Sequence, residues 1–194
     1  MYPDASLSEV TETDLGYIDI LNPRSSYSEG KRICENLCIC YKSEYNVPVK
    51  IVRLAQTVGA GIDYNDTRIT AMFAKSVIEN KDIVLKTHGN SKRQIIYTTD
   101  AVSAILTILL KGKSGECYTA CNHNTFFSIK ETAFMISEKI AEGKIGVKFN
   151  VQEKNNFAPE VIMNLSSAKL ESLGWKATVG LEEAYRRMIR SFEN

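Results

Sequence analysis

Tyr27-Ser-Glu-Gly-Lys31 sets a phenol and an ammonium four residues apart. On a helix that spacing places both side chains on one face, one turn from each other. A tyrosine with its ordinary pKa of about 10 is a poor base at neutral pH. A fixed positive charge beside it favours the phenolate, and a helix N-terminus adds further positive potential. Such a pair can take a hydroxyl proton while hydride leaves the same carbon, or return it. With nine tyrosines in the chain, one such spacing is nearly expected by chance, so its weight depends on what accompanies it.

Other residue types suggest less. Cys117, Cys121 and His123 read Cys-x-x-x-Cys-x-His, which lacks a clear fourth metal ligand. No metal is expected there, only small buried side chains. Gly59-Ala-Gly61 is the nearest approach to a phosphate-cradling glycine turn. It lacks the third glycine, and the helix that should follow begins too late, so no dinucleotide fingerprint is read.

The elements that must carry these residues can be read in outline. Residues 1–24 form a polar loop or lid. A helix runs from about Ser26 to Tyr45, with Ile33, Leu37 and Tyr41 recurring every four residues. It stops before Pro48, which disfavours helix at the residue ahead of it. Val49–Leu54 reads as a buried parallel strand. A loop over 56–67 and a helix over 68–79 follow, then short strands at 83–85 and 94–98. Asp100 or Thr99 is expected to cap a helix over 101–110. After a strand at 117–120, Ser128-Ile-Lys-Glu131 is a capping box opening a helix to about Ala141. A strand at 147–151 and helices at 166–173 and 181–192 complete an alternating α/β pattern.

Composition narrows the classes. The net charge is +1 and the basic residues are scattered, whereas a nucleic-acid binder concentrates them on one face. The longest apolar run, Ala101–Leu110, is about half a bilayer span. The first ten residues lack the basic and apolar regions of a signal peptide. Five cysteines, an odd number, fit reduced thiols. The expectation is a cytoplasmic protein with neither nucleic acid nor membrane as partner.

Four ordered segments add a resemblance. Asn22-Pro-Arg24-Ser-Ser-Tyr27-Ser-Glu-Gly-Lys31-Arg32 resembles the active-site helix start of the extended short-chain dehydrogenase/reductases that act on nucleotide sugars. Val52-Arg53-Leu-Ala-Gln56-Thr-Val-Gly59 is similar to that family's Arg-x-x-Asn-x-x-Gly strand end. Thr87-His-Gly89-Asn-Ser-Lys-Arg93, leading on to Asp100, is similar to its Gly-Asp-Gly-x-x-x-Arg segment. Leu173-Gly-Trp175 with Leu181-Glu-Glu-Ala184 is similar to its C-terminal signature.

The resemblance implies the C-terminal portion of an NAD-dependent epimerase/dehydratase. Its implied fold is a partial doubly wound, Rossmann-like parallel sheet without the N-terminal dinucleotide-binding half, plus a small C-terminal α/β substrate lobe. Residues 1–60 would be the remnant of the NAD-binding domain, and 61–194 the substrate lobe with returning sheet elements. By position, Tyr27 is the acid/base, and Lys31 holds the nicotinamide ribose and tunes Tyr27, so both are catalytic and cofactor-binding. Gln56, where the family has asparagine, and Arg93 are the substrate-binding residues, the arginine pairing with a diphosphate through its planar fork. Arg93 is expected to face a pocket built with the loop after Arg53 and the segment around Ile83–Lys86.

The substrate implied is a nucleotide-diphosphate sugar, and a homo-oligomer is expected. NAD is the implied cofactor of the whole enzyme. Because Met1-Tyr2-Pro3 resembles the end of the Glu-Val-Tyr-Gly-like segment that follows the family's catalytic Ser or Thr, this chain alone is not expected to retain NAD or to turn over. Tyr64-Asn65-Asp66-Thr67-Arg68 is also similar to the UDP-glucuronate decarboxylases. Epimerase, dehydratase and decarboxylase chemistry stay open, beside a non-catalytic fragment that dimerises or weakly binds nucleotide sugar.

Overall fold

A computed structural model describes residues 9–151 and 160–193. Residues 1–8, part of the expected N-terminal loop, lie outside the described residues. In chain order the elements are α1 (Ser26–Tyr45), β1 (Ile51–Leu54), β2 (Gln56–Val58), α2 (Ile69–Ile78), β3 (Ile83–Leu85), β4 (Lys92–Arg93), β5 (Ile95–Tyr97) and α3 (Thr98–Lys111). They continue with β6 (Cys117–Ala120), β7 (Phe127–Ser128), α4 (Ile129–Met135), β8 (Val147–Phe149), β9 (Ile162–Met163), α5 (Ala168–Glu171) and α6 (Leu181–Phe192).

The expected α/β alternation is present, with parallel pairing between strands far apart in sequence. β1 pairs with β6, Ile51 opposite Cys117. β2 pairs with β5, Gln56 opposite Ile95. β3 pairs with β8. A fourth segment is mixed: β4 lies between antiparallel β7 and parallel β9, with Arg93 opposite both Phe127 and Met163.

β1 and β2 are one run of chain that changes partner at Ala55, whose amide still donates to the Ala120 carbonyl (2.9 Å). Position 56 was expected to begin a loop. It extends the strand instead, because β5 supplies a hydrogen-bonding partner that no local pattern announces.

Helix ends follow local chemistry. α1 stops at Asn46, which takes the left-handed conformation (φ 54°) just before Val47-Pro48. The capping box at α4 is formed: Ser128 Oγ accepts from the Glu131 amide (3.0 Å), and Glu131 accepts from the Ser128 amide (2.6 Å). α4 then widens into a π turn over Ile136–Ile140.

α3 departs from expectation. It starts at Thr98, directly off β5, so neither Thr99 nor Asp100 is its cap. Asp100 is buried within the first turn and accepts from the amides of Thr178 (3.0 Å) and Val179 (2.9 Å) and from the Thr178 hydroxyl (2.8 Å). Its carboxylate ties the segment ahead of α6 to α3.

Two apolar cores result. One joins β2, β3 and β5 to α2, α4 and α6, around Phe73, Ile83, Ile136, Tyr185 and Met188. The other packs α3 and α5 against β1 and β6, around Ile96, Ile108, Tyr118, Leu170 and Trp175. The Trp175 indole N–H donates to Ser103 Oγ at 3.0 Å, so its polar edge is satisfied as its ring is buried.

Candidate functional site

α1 presents Tyr27, Lys31 and Glu35 along one face, and all three line a cavity of about 390 Å³ with Arg53 of β1, Thr119 of β6 and Met163 of β9. The Lys31 ammonium lies 5.4 Å from the centre of the Tyr27 ring. Both side chains are exposed, Tyr27 by 71%.

The helix is held in place from below. Arg53 donates to both oxygens of Glu35, Nε to Oε1 at 2.8 Å and Nη2 to Oε2 at 2.7 Å. A third bond runs from Nη1 to the Glu12 carbonyl at 2.8 Å. This fork-to-carboxylate geometry fixes direction as well as distance. The Glu35 hydrogen bonds raise the Arg53 pKa further, so it stays charged. On the cavity rim, Asp14 accepts from the amide and hydroxyl of Thr11, and the backbone bond is the leading reason its pKa is lowered.

Gln56 and Arg93 lie in a second cavity, of about 230 Å³, with Arg68, Ser91 and Thr125. Its floor is apolar and includes Phe73, Ile95, Leu181 and Tyr185. The expected wall at Ile83–Lys86 is absent from it. Ile83 and Leu85 point into the core instead, and their place is taken by Arg68, at the start of α2, and by Phe127 of β7.

Arg68 is ion-paired to Asp66, with Nε bonds of 2.8 and 3.0 Å. Arg93 differs: it is half-buried and makes no ion pair or side-chain hydrogen bond among the described residues. Gln56 likewise has no side-chain partner there.

The two cavities flank the β4–β9 ladder, since Arg93 lines one and its register partner Met163 lines the other. Gln94, buried beside Arg93, locks that arrangement. Its amide donates to Asn164 Oδ1 (2.8 Å) and the Leu165 carbonyl (3.0 Å) and accepts from the Leu165 amide (2.9 Å). Glu35 and Gln94 were not legible as site-building residues. The available signals were that Glu35 lies one further turn along the Tyr27–Lys31 face and that Gln94 directly follows Arg93.

No group of three or more His, Cys, Asp or Glu is placed to hold a metal among the described residues. His123 Nε2 instead faces Ser167 Oγ (3.0 Å), and the Cys121 thiol donates to the Leu165 carbonyl (3.3 Å). The glycine at position 59 is explained by close packing. A Cβ there would stand 2.8 Å from the Tyr97 ring, and residues 59–68 intervene before α2. No helix among the described residues is long and apolar enough to cross a membrane.

Parallel strands linked through helices, with a Tyr–Lys face against one end of the ladder, define a Rossmann-like α/β protein. Within that class, residues 1–122 match the NAD dependent epimerase/dehydratase family, and the chain belongs to it. The UDP-glucuronic acid decarboxylase 1 of Xenopus tropicalis is 25% identical over 192 residues, covering 99% of this chain and 44% of that protein. Among solved structures, a UDP-glucose 4-epimerase from Thermotoga maritima with UDP-glucose superposes with a TM-score of 0.79 at 20% identity, over 100% of this chain and 58% of that one. A dTDP-glucose 4,6-dehydratase from Bacillus anthracis in complex with NAD gives 0.77 at 19% identity, over 97% and 57%. The chain thus spans about half the length of the relatives it matches.

Proposed function

We propose that this chain supplies the proton-transfer and substrate-holding parts of an NAD-dependent enzyme that modifies a nucleotide-diphosphate sugar by transient oxidation at the sugar C4. The observation that carries this reading is Arg93: a half-buried guanidinium without a partner among the described residues, sharing a cavity with Gln56 and lying across one ladder from Tyr27 and Lys31. A half-buried cation without a counter-charge is favourable where an anionic ligand completes it.

Tyr27 takes the proton of the C4 hydroxyl and later returns it. The Lys31 ammonium lies beside it, 5.4 Å from the centre of the ring. Both also fit the hydroxyls of a nicotinamide ribose, since their polar ends open onto the larger cavity. NAD, when bound, supplies the hydride acceptor. Gln56, with one donor and one acceptor end, suits a sugar hydroxyl. The proposed active form is a homo-oligomer.

A decarboxylase reaction on a UDP-glucuronate-like substrate is the second reading. It is favoured by Tyr64–Arg68, whose Arg68 lines the Arg93 cavity, and by the Xenopus relative. The test common to both readings is titration of UDP into wild type and Arg93→Lys at fixed ionic strength. Lysine keeps the charge but loses the fork. Loss of a charge-assisted hydrogen bond worth about 1.5–3 kcal/mol corresponds to roughly ten- to a hundredfold weaker binding. Equal affinities would move the diphosphate away from Arg93.

A further inference from the structure

The C-terminal signature ends at Ala184, and the next residue is the one the family reading leaves unused. Tyr185 sits mid-way along α6, whose buried face also carries Leu181, Met188 and Ile189. Its ring is part of the larger core and only 1% of the residue is exposed. Yet Tyr185 also lines the Arg93 cavity, and its hydroxyl makes no hydrogen bond with any described residue.

Arg32 Nε is the one buried side-chain polar atom without a partner among the described residues, so the Tyr185 hydroxyl is not sealed in the core: it opens on the cavity. Phenylalanine would pack the same ring, so the hydroxyl adds nothing that the core itself needs. Burial also raises the Tyr185 pKa, so the group stays a neutral O–H, able to donate one hydrogen bond and accept another.

The cavity, at about 230 Å³, is smaller than the roughly 300–1,000 Å³ of sites that enclose a whole ligand. It therefore takes one end of a ligand. In the reading above, the reacting sugar faces Tyr27 and Lys31 across the β4–β9 ladder, which leaves the opposite end for this side. We propose that Tyr185 is a specificity-determining residue, whose hydroxyl hydrogen-bonds an uncharged polar group on the nucleoside end of the ligand while Arg93 holds its diphosphate. The apolar floor of Phe73, Ile95 and Leu181 receives the ring that carries that group. This rests on the nucleotide-sugar reading of the site.

The test is calorimetric titration of UDP and of inorganic pyrophosphate into wild type, Tyr185→Phe and Arg93→Lys, with melting temperatures of the ligand-free proteins. Loss of one neutral hydrogen bond should weaken UDP binding to Tyr185→Phe about three- to tenfold. Pyrophosphate affinity should be unchanged, and the ligand-free variant should melt no lower than wild type. Arg93→Lys should weaken both ligands. Equal UDP affinity for wild type and Tyr185→Phe, with Arg93→Lys still impaired, overturns the assignment of Tyr185 and leaves the nucleotide-sugar reading standing. Equal weakening of UDP and pyrophosphate by Tyr185→Phe means general damage and overturns it as well. Wild type binding neither ligand removes both readings.

Discussion

Tyr27 and Lys31 have the side-chain types for proton transfer and the exposure to meet a substrate. In an active preparation, Tyr27→Phe is expected to lower kcat by about 10²-fold or more, the scale of lost general acid/base catalysis. Its melting temperature should match wild type, because the phenol is not part of either core. The thiols make a separate test of burial. Burial pushes Cys121 from its ordinary value of 9.0 up to about 12. A raised pKa contributes stability that is fully present below pH 9 and is lost as pH rises through 12. Tyr185 acts with the same sign. Urea midpoints should therefore fall on going from pH 8 to pH 11, and fall less for Cys121→Ala than for wild type.

Positioning is done by contacts between elements. α1 has a single buried residue, Ser28, so its own packing holds it weakly over β1. The Arg53–Glu35 fork supplies the direction that packing does not. Glu35→Ala leaves a half-buried guanidinium with two fewer acceptors and is expected to destabilise by about 1–3 kcal/mol. Hydrogen exchange should speed up most in the first half of α1, which carries Tyr27 and Lys31. Exchange spread evenly over the chain would mean the fork stabilises the fold without aiming the helix. Asp100 plays the matching part at the other end, where three hydrogen bonds hold residues 178–179 and so set where α6, with Tyr185, begins.

At the scale of the whole molecule, two helices leave apolar faces uncovered. Ile33, Leu37 and Tyr41 of α1 are exposed, as are Val102, Ile105, Leu106, Leu109 and Leu110 of α3. Exposed apolar helix faces of this kind fit the proposed homo-oligomer. Sedimentation at micromolar concentration should show a dimer or larger species, and Leu37→Asp should shift it towards monomer. A wild-type monomer under those conditions would rule out the α1 face as a self-association surface.

The elements with strong local signals were legible. α1 shows in its four-residue apolar period and its stop before Pro48, and α4 in the Ser128–Glu131 capping box. The order of strands and helices follows from period and turn chemistry, and the family follows from the ordered motifs around Tyr27, Arg53, Arg93 and Trp175. These features are local in sequence, so a single chain displays them.

What only tertiary structure decided is how the pieces meet. β4, β7 and β9 are two-residue strands, too short for any period. They exist because Arg93 falls opposite Phe127 and Met163. Gln56 became strand because β5 lies beside it, and Asp100 became a clamp because residues 178–179 pass within reach. The cavity that gathers Gln56, Arg68, Arg93 and Tyr185 draws on β2, the start of α2, β4 and α6, elements separated by up to 129 positions (185 − 56). Side chains that far apart are brought together by the packing of two cores, and no spacing along the chain encodes that distance.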